Sequence, residues 1–139
     1  MGLFQRVFGS GAPGRASEAV ADMNDALRLY RQGSYRDALA IGDHLIASGP
    51  NIALSWRFRG ECLFSLHRYD EAVASFEKAG ELGGPGTDDV FLWSSLALHN
   101  GGKPEQAKAR LRDALASNQL SSELRVRTQT ALQQLERSA

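Results

Sequence analysis

The sequence predicts an all-α fold, an α-solenoid of three helix-turn-helix repeats closed by a C-terminal capping helix. Two observations carry this. Small and apolar residues return every 34 or 35 positions: Leu29, Leu63 and Leu98, then Ala38, Ala72 and Ala107, then Leu45, Ala79 and Ala114. Repetition at such a period marks a stacked array of one supersecondary unit. Within each copy the apolar spacing is helical, with Trp56, Gly60 and Leu63 on one face of a first helix and Tyr69, Ala72, Phe76 and Ala79 on one face of a second.

The elements follow in order. The domain is read as residues 17–137, with repeats at about 18–50, 51–85 and 87–119 and a capping helix at about 121–137. Residues 1–16 are read as a flexible arm. In the first copy Gly33 suits the left-handed residue that ends a helix, and Ser34 with Asp37 three positions on has the pattern of a capping box. The middle copy has His67 at the glycine position, which predicts a turn that is strained or built differently. In the third copy Asn100-Gly101-Gly102 is followed by Pro104, whose fixed φ suits a first helical turn. Between copies, Ser48-Gly49-Pro50-Asn51 and Gly83-Gly84-Pro85-Gly86-Thr87 break the helices, with Thr87 read as the next cap. Ala26, Gly60 and Ser95 are read as the small residues that let first helices approach Ala38, Ala72 and Ala107 closely. After Leu120 a further helix carries Leu124, Thr128, Ala131, Leu132 and Leu135 on one stripe, the polar-backed terminal element an array needs.

The middle copy resembles the tetratricopeptide repeat family. Trp56, Gly60, Leu63, Ala72, Phe76 and Pro85 stand in the register of that family's signature. Arg59 occupies a position where leucine is expected, Gly42 and Leu111 replace the phenylalanine in the outer copies, and Asp22 replaces the tryptophan in the first. The resemblance covers roughly residues 18 to 118.

Composition narrows the function. The 139 residues are 42% hydrophobic, enough for one domain with a core, and 16 basic and 16 acidic residues cancel. Without a basic block, nucleic-acid binding is not expected. Runs such as Asp70-Glu71 and Arg110-Leu111-Arg112 read as solvated faces. The lone Cys62 allows no internal disulfide and reads as a small buried hydrophobe. The longest apolar stretch, Val90 to Leu98, is too short to span a bilayer, and no secretory signal is evident, so a cytoplasmic protein is expected. Arginine supplies most of the positive charge, which together with the small size suggests a bacterial source. Leu3, Phe4, Val7 and Phe8 share one side of a short amphipathic segment. A free or folded-back terminus is preferred for it over partner or membrane contact.

No catalytic constellation is found: His44, His67 and His99 lack metal-ligand spacing, and no nucleophile stands beside a base. No cofactor, no metal and no enzyme activity are expected. A site assembled from Arg57, Glu61 and His99 across repeats is the remaining catalytic alternative.

The resemblance implies where function lies. First helices of successive tetratricopeptide units line a concave groove that holds peptides, and the corresponding positions are Met23, Leu27, Tyr30 and Arg31, then Leu54, Arg57, Glu61 and Phe64, then Leu92, Leu96, His99 and Asn100. The residues by which the family grips a C-terminal carboxylate are replaced here by Met23, Leu27, Asp89 and Trp93, which disfavours a chaperone-tail receptor. The function expected is an adaptor or scaffold binding a protein or peptide partner through apolar anchors. The alternatives are a self-associating scaffold, a homo-oligomer whose copies fill each other's grooves, and a chaperone for an apolar secretion substrate.

Overall fold

In the computed structural model of the protein, residues 15–138 are described, with side chains described from residue 22 onward. They form seven helices and, among the described residues, no strand: α1 (Arg15–Arg31), α2 (Tyr35–Ser48), α3 (Ala53–Ser65), α4 (Tyr69–Leu82), α5 (Val90–Asn100), α6 (Pro104–Ala116) and α7 (Ser122–Arg137). Each helix packs chiefly on the one before and the one after it, as a solenoid of hairpins requires. The amphipathic arm expected around Leu3, Phe4, Val7 and Phe8 lies outside the described residues.

The repeat period marks the core. Ala26, Ala38, Cys62, Leu63, Ala72, Phe76, Ala79, Ala97 and Ala107 are fully buried. Alanine recurs because neighbouring helices approach too closely for more. Gly60 is the tightest point: a Cβ there would stand 2.7 Å from Cε1 of the Phe76 ring, so the partner of this small residue is the aromatic ring one turn beyond Ala72. Cys62 is buried as expected, and burial pushes its thiol up to about 12.

The three intra-repeat turns are the same turn. The N–H of Ser34, Arg68 and Lys103 donates to the carbonyl of Leu29, Leu63 and Leu98, and the N–H of Gly33, His67 and Gly102 to that of Tyr30, Phe64 and His99, at 2.8 to 3.1 Å. This paired closure, the Schellman motif, puts its middle residue in the left-handed region, with φ of 78°, 60° and 84°. His67 is the non-glycine residue held there, so the middle turn keeps the geometry of the others under strain, with Nδ1 2.6 Å from the Tyr69 hydroxyl.

The expected side-chain caps do not form at two of these starts. Ser34 makes no side-chain cap; its amide is spent closing the preceding turn and its carbonyl accepts from Ala38. Thr87 turns its hydroxyl to the Gly84 carbonyl at 2.7 Å, closing the loop, and Asp89 takes the N-cap position of α5. A side-chain cap does form on α7, where Ser121 Oγ accepts from the Leu124 amide.

The polar runs are not merely solvated. Arg59 donates to Asp43 of α2 at 2.8 Å and to the buried Ser75 of α4 at 2.7 Å, which accounts for an arginine standing where leucine was expected. Arg110 of α6 pairs with Glu77 of α4 and donates to the buried Ser94 of α5. Asp43 and Glu77 hold the same repeat position, and so do Arg59 with Ser94 and Ser75 with Arg110. The second tie therefore repeats the first with donor and acceptor exchanged between helices. Arg112 with Glu136 and Asp70 with Lys103 complete a ladder of ion pairs between elements. Leu111, between two of these arginines, is buried in the core.

Candidate functional site

The first helices α1, α3 and α5 carry the twelve candidate positions at one register: Met23, Arg57 and Leu92 are equivalent, as are Leu27, Glu61 and Leu96, and Tyr30, Phe64 and His99. The structure divides them by what each already touches. Tyr30 and Phe64 are joints between repeats. Tyr30 packs edge-on against Tyr35, 5.1 Å between centroids, and Phe58, 6.0 Å, while its hydroxyl lies 3.1 Å from Ser65 Oγ of α3. Burial raises its phenol above the ordinary range against the effect of that hydrogen bond. Phe64 repeats the arrangement with Tyr69 at 5.4 Å and Trp93 at 5.9 Å. Neither ring is a free groove wall. His99, the third equivalent, is half-buried with Nδ1 enclosed and lacking a hydrogen-bond partner. The next such ring position, one period beyond Trp93, is Thr128, fully buried on α7 and donating to the Leu124 carbonyl.

Arg57 is equally occupied. Its guanidinium donates to Asp89 Oδ1 at 2.5 Å, to the Gly86 carbonyl at 2.6 Å and to Glu61 Oε1 at 3.4 Å. Burial opposes the charge, yet the hydrogen bond and charge of Asp89, with Glu61 behind them, leave the guanidinium pKa raised. Glu61 goes the other way: burial raises its carboxyl more than Arg57 lowers it. Arg127 of α7 reaches the other Asp89 oxygen at 3.8 Å. Arg57, Glu61, Asp89 and Arg127 thus form one rung across α3, the start of α5, and α7. Among the described residues no cluster of three His, Cys, Asp or Glu is placed to hold a metal ion.

Met23, Leu27 and Leu92 pack against the core and are half-buried. Arg31 and Asn100 are exposed near the helix ends. Leu54 and Leu96 differ: 50% and 40% exposed, they are the large apolar side chains among the twelve that remain open to solvent. Leu54 leans over Gly86, where a Cβ would come within 2.9 Å of its Cδ2.

Sequence reasoning misses Asp89, Arg127 and Ile52. Asp89 enters as a residue standing where the family grips a carboxylate, and Ile52, 52% exposed just before α3, is not singled out. Arg127 reads as off-stripe, although it lies 35 residues beyond Leu92, on the register of Arg57. Extending the period into the last helix finds it.

The sequence profile of the tetratricopeptide repeat matches residues 23–84, from the middle of α1 through the end of α4. Over those residues the chain carries the sequence pattern of the tetratricopeptide repeat. No protein of curated description matches the sequence. Among solved structures the fold is similar to the type III secretion translocator chaperone SycD of Yersinia enterocolitica, with a TM-score of 0.75 at 18% identity, covering 94% of this chain and 96% of that one. SycD in complex with a peptide of the translocator YopD matches with a TM-score of 0.72 at 17% identity over 88% and 95% of the two chains. The second tetratricopeptide domain of human RPAP3, in complex with an HSP70 peptide, matches with 0.72 at 20% identity over 88% and 98%.

Proposed function

We propose that this chain is a non-enzymatic tetratricopeptide-repeat adaptor that seats a segment of a partner protein along the face of α1, α3 and α5. The observation that carries this is the pair Leu54 and Leu96, left open on a face whose other apolar members are packed. Two apolar anchor seats beside a polar rung give a peptide both buried area and register. The solved complexes of SycD and RPAP3 support the reading, since proteins of this fold are seen with peptides bound. Met23, Leu27, Leu92 and the half-buried Glu61 line the same surface, and Arg31, His99 and Asn100 flank its far end. Tyr30, Phe64 and Arg57 act by holding it in shape.

A chaperone that shields an apolar secretion substrate is the second reading, supported by the likeness to SycD along nearly the whole chain. The proposal includes a bacterial cytoplasmic setting, on the arginine-rich charge and small size of the sequence. No helix among the described residues is long and apolar enough to cross a membrane.

Affinity capture from the source organism, with wild type and Leu54→Asp/Leu96→Asp as baits, tests the surface. The two substitutions sit at solvent-exposed positions, and matched thermal melts confirm that both baits are folded. Loss of captured proteins with the variant is expected; recovery of the same set by both baits refutes the assignment. Charge reversal at Arg57 is a poorer test because it also breaks the Asp89 rung. If the captured protein is an exported, apolar one that precipitates when produced alone, the chaperone reading prevails.

A further inference from the structure

The open seats on the groove face lie within reach of an apolar segment of the same chain. First helices run parallel, so the starts of α1 and α3 are at the same end of the array. Leu54 shares its repeat position with residue 20, five residues inside α1. Arg15 therefore stands about 8 Å further along the axis than Leu54, at 1.5 Å per residue, and about 10 Å to the side, the ordinary spacing of packed helices. Gly9-Ser10-Gly11-Ala12-Pro13-Gly14 joins Arg15 to the apolar set Leu3, Phe4, Val7 and Phe8. Six residues span up to about 20 Å, more than the gap to Leu54. That composition adds no side chain large enough to block the path.

We propose that Leu3–Phe8 of each molecule occupies the groove over Leu54 and Leu96 when no partner is bound, so that an incoming peptide must displace it. The apolar side chains of the segment and the exposed leucines would cover each other, beside a rung in which Glu61 and Asp89 are balanced by Arg57 and Arg127. The proposal rests on the groove reading above, and it fixes the resident ligand as part of this chain rather than a second copy.

The full chain allows a direct test. Cys62 is buried and its thiol is pushed up to about 12, so Ser10→Cys takes a nitroxide label selectively. Amide resonances of Leu54 and Leu96 should be broadened severalfold more than that of exposed Ala74 on α4, and Phe4→Ser/Phe8→Ser should restore them. Equal broadening at Leu54 and Ala74, or broadening that survives the two serines, overturns the proposal. Broadening seen only when a nitroxide-labelled copy is mixed with an isotope-labelled one assigns the segment to a neighbouring molecule and also overturns it. Failure here with partner capture still dependent on Leu54 and Leu96 leaves the groove reading standing; loss of that dependence strikes the groove itself.

Discussion

The joint between the first and second repeats and the joint between the second and third fill the same space by different means. In the later joint Phe76 of α4 is fully buried, lies over Gly60, and stacks on Trp93 of α5 at 6.1 Å between centroids and 25° between planes. In the earlier joint the position of Phe76 is Gly42, and the ring comes from the other side: Phe58, at the Trp93 position, is 3% exposed and lies 3.3 Å from where a Gly42 Cβ would stand. The polar ties behave alike, with Arg59 and Ser75 trading helices to become Ser94 and Arg110. A repeat position is thus defined by the volume or hydrogen bond that must be completed across the joint. The residue that completes it is free to move to the neighbouring helix.

That comparison breaks most visibly at Phe76. Phe76→Ala removes the ring shared by α3, α4 and α5 and is expected to cost about 3–5 kcal/mol in a denaturant melt. Gly60→Ala should cost about 1–3 kcal/mol, because a ring held on both sides cannot retreat from a Cβ at 2.7 Å. Gly42→Ala meets the edge of one ring at 3.3 Å and gains helix propensity of roughly 1 kcal/mol, so it should fall within about 1 kcal/mol of wild type. Equal losses at both glycines would show the joints to be equivalent after all. The strained turn sharpens the contrast in the other direction: His67→Gly relieves a positive φ, and a gain of up to about 1 kcal/mol is expected from the same melts, reduced by the lost Tyr69 contact.

The smallest effect is a slope. Glu61 has a folded pKa above its unfolded value, so the folded state holds the proton over a wider range and stability falls as pH rises through that folded pKa. Glu61→Gln should flatten this segment of the stability profile, between the ordinary glutamate range and the raised folded value. A profile unchanged by the substitution shows that Arg57 compensates the burial fully.

The period and the helical stripes make the array legible, because a small residue returning at a fixed interval is what close contact between successive helices demands. Gly33, Gly102 and Pro104 are readable for the same reason, each being forced by backbone geometry. Ser34 and Thr87 are not. A hydroxyl beside a helix start has several competing acceptors and donors, and nearby backbone decides which one it meets. Of the candidate surface, Tyr30, Phe64 and Arg57 sit on the expected helices but are spent on neighbours, since sequence gives a residue's face without saying whether the next repeat covers it. Lys108 shows the same limit: it is 7% exposed at the register of Leu39 and Val73, its stem packed and its ammonium 3.3 Å from Glu105.

Arg57 and Arg59 stand two residues apart, about 200° around α3, and each fastens one side of the molecule. The rung at Arg57 is sheltered, with both side chains of its main pair 21% exposed, whereas the ladder that includes Arg59 meets acids that are mostly open to water. Dissolved ions weaken the second set far more than the first. Added salt therefore loosens the ion pairs on one flank of the array before those on the other, where the Arg57 rung is sheltered.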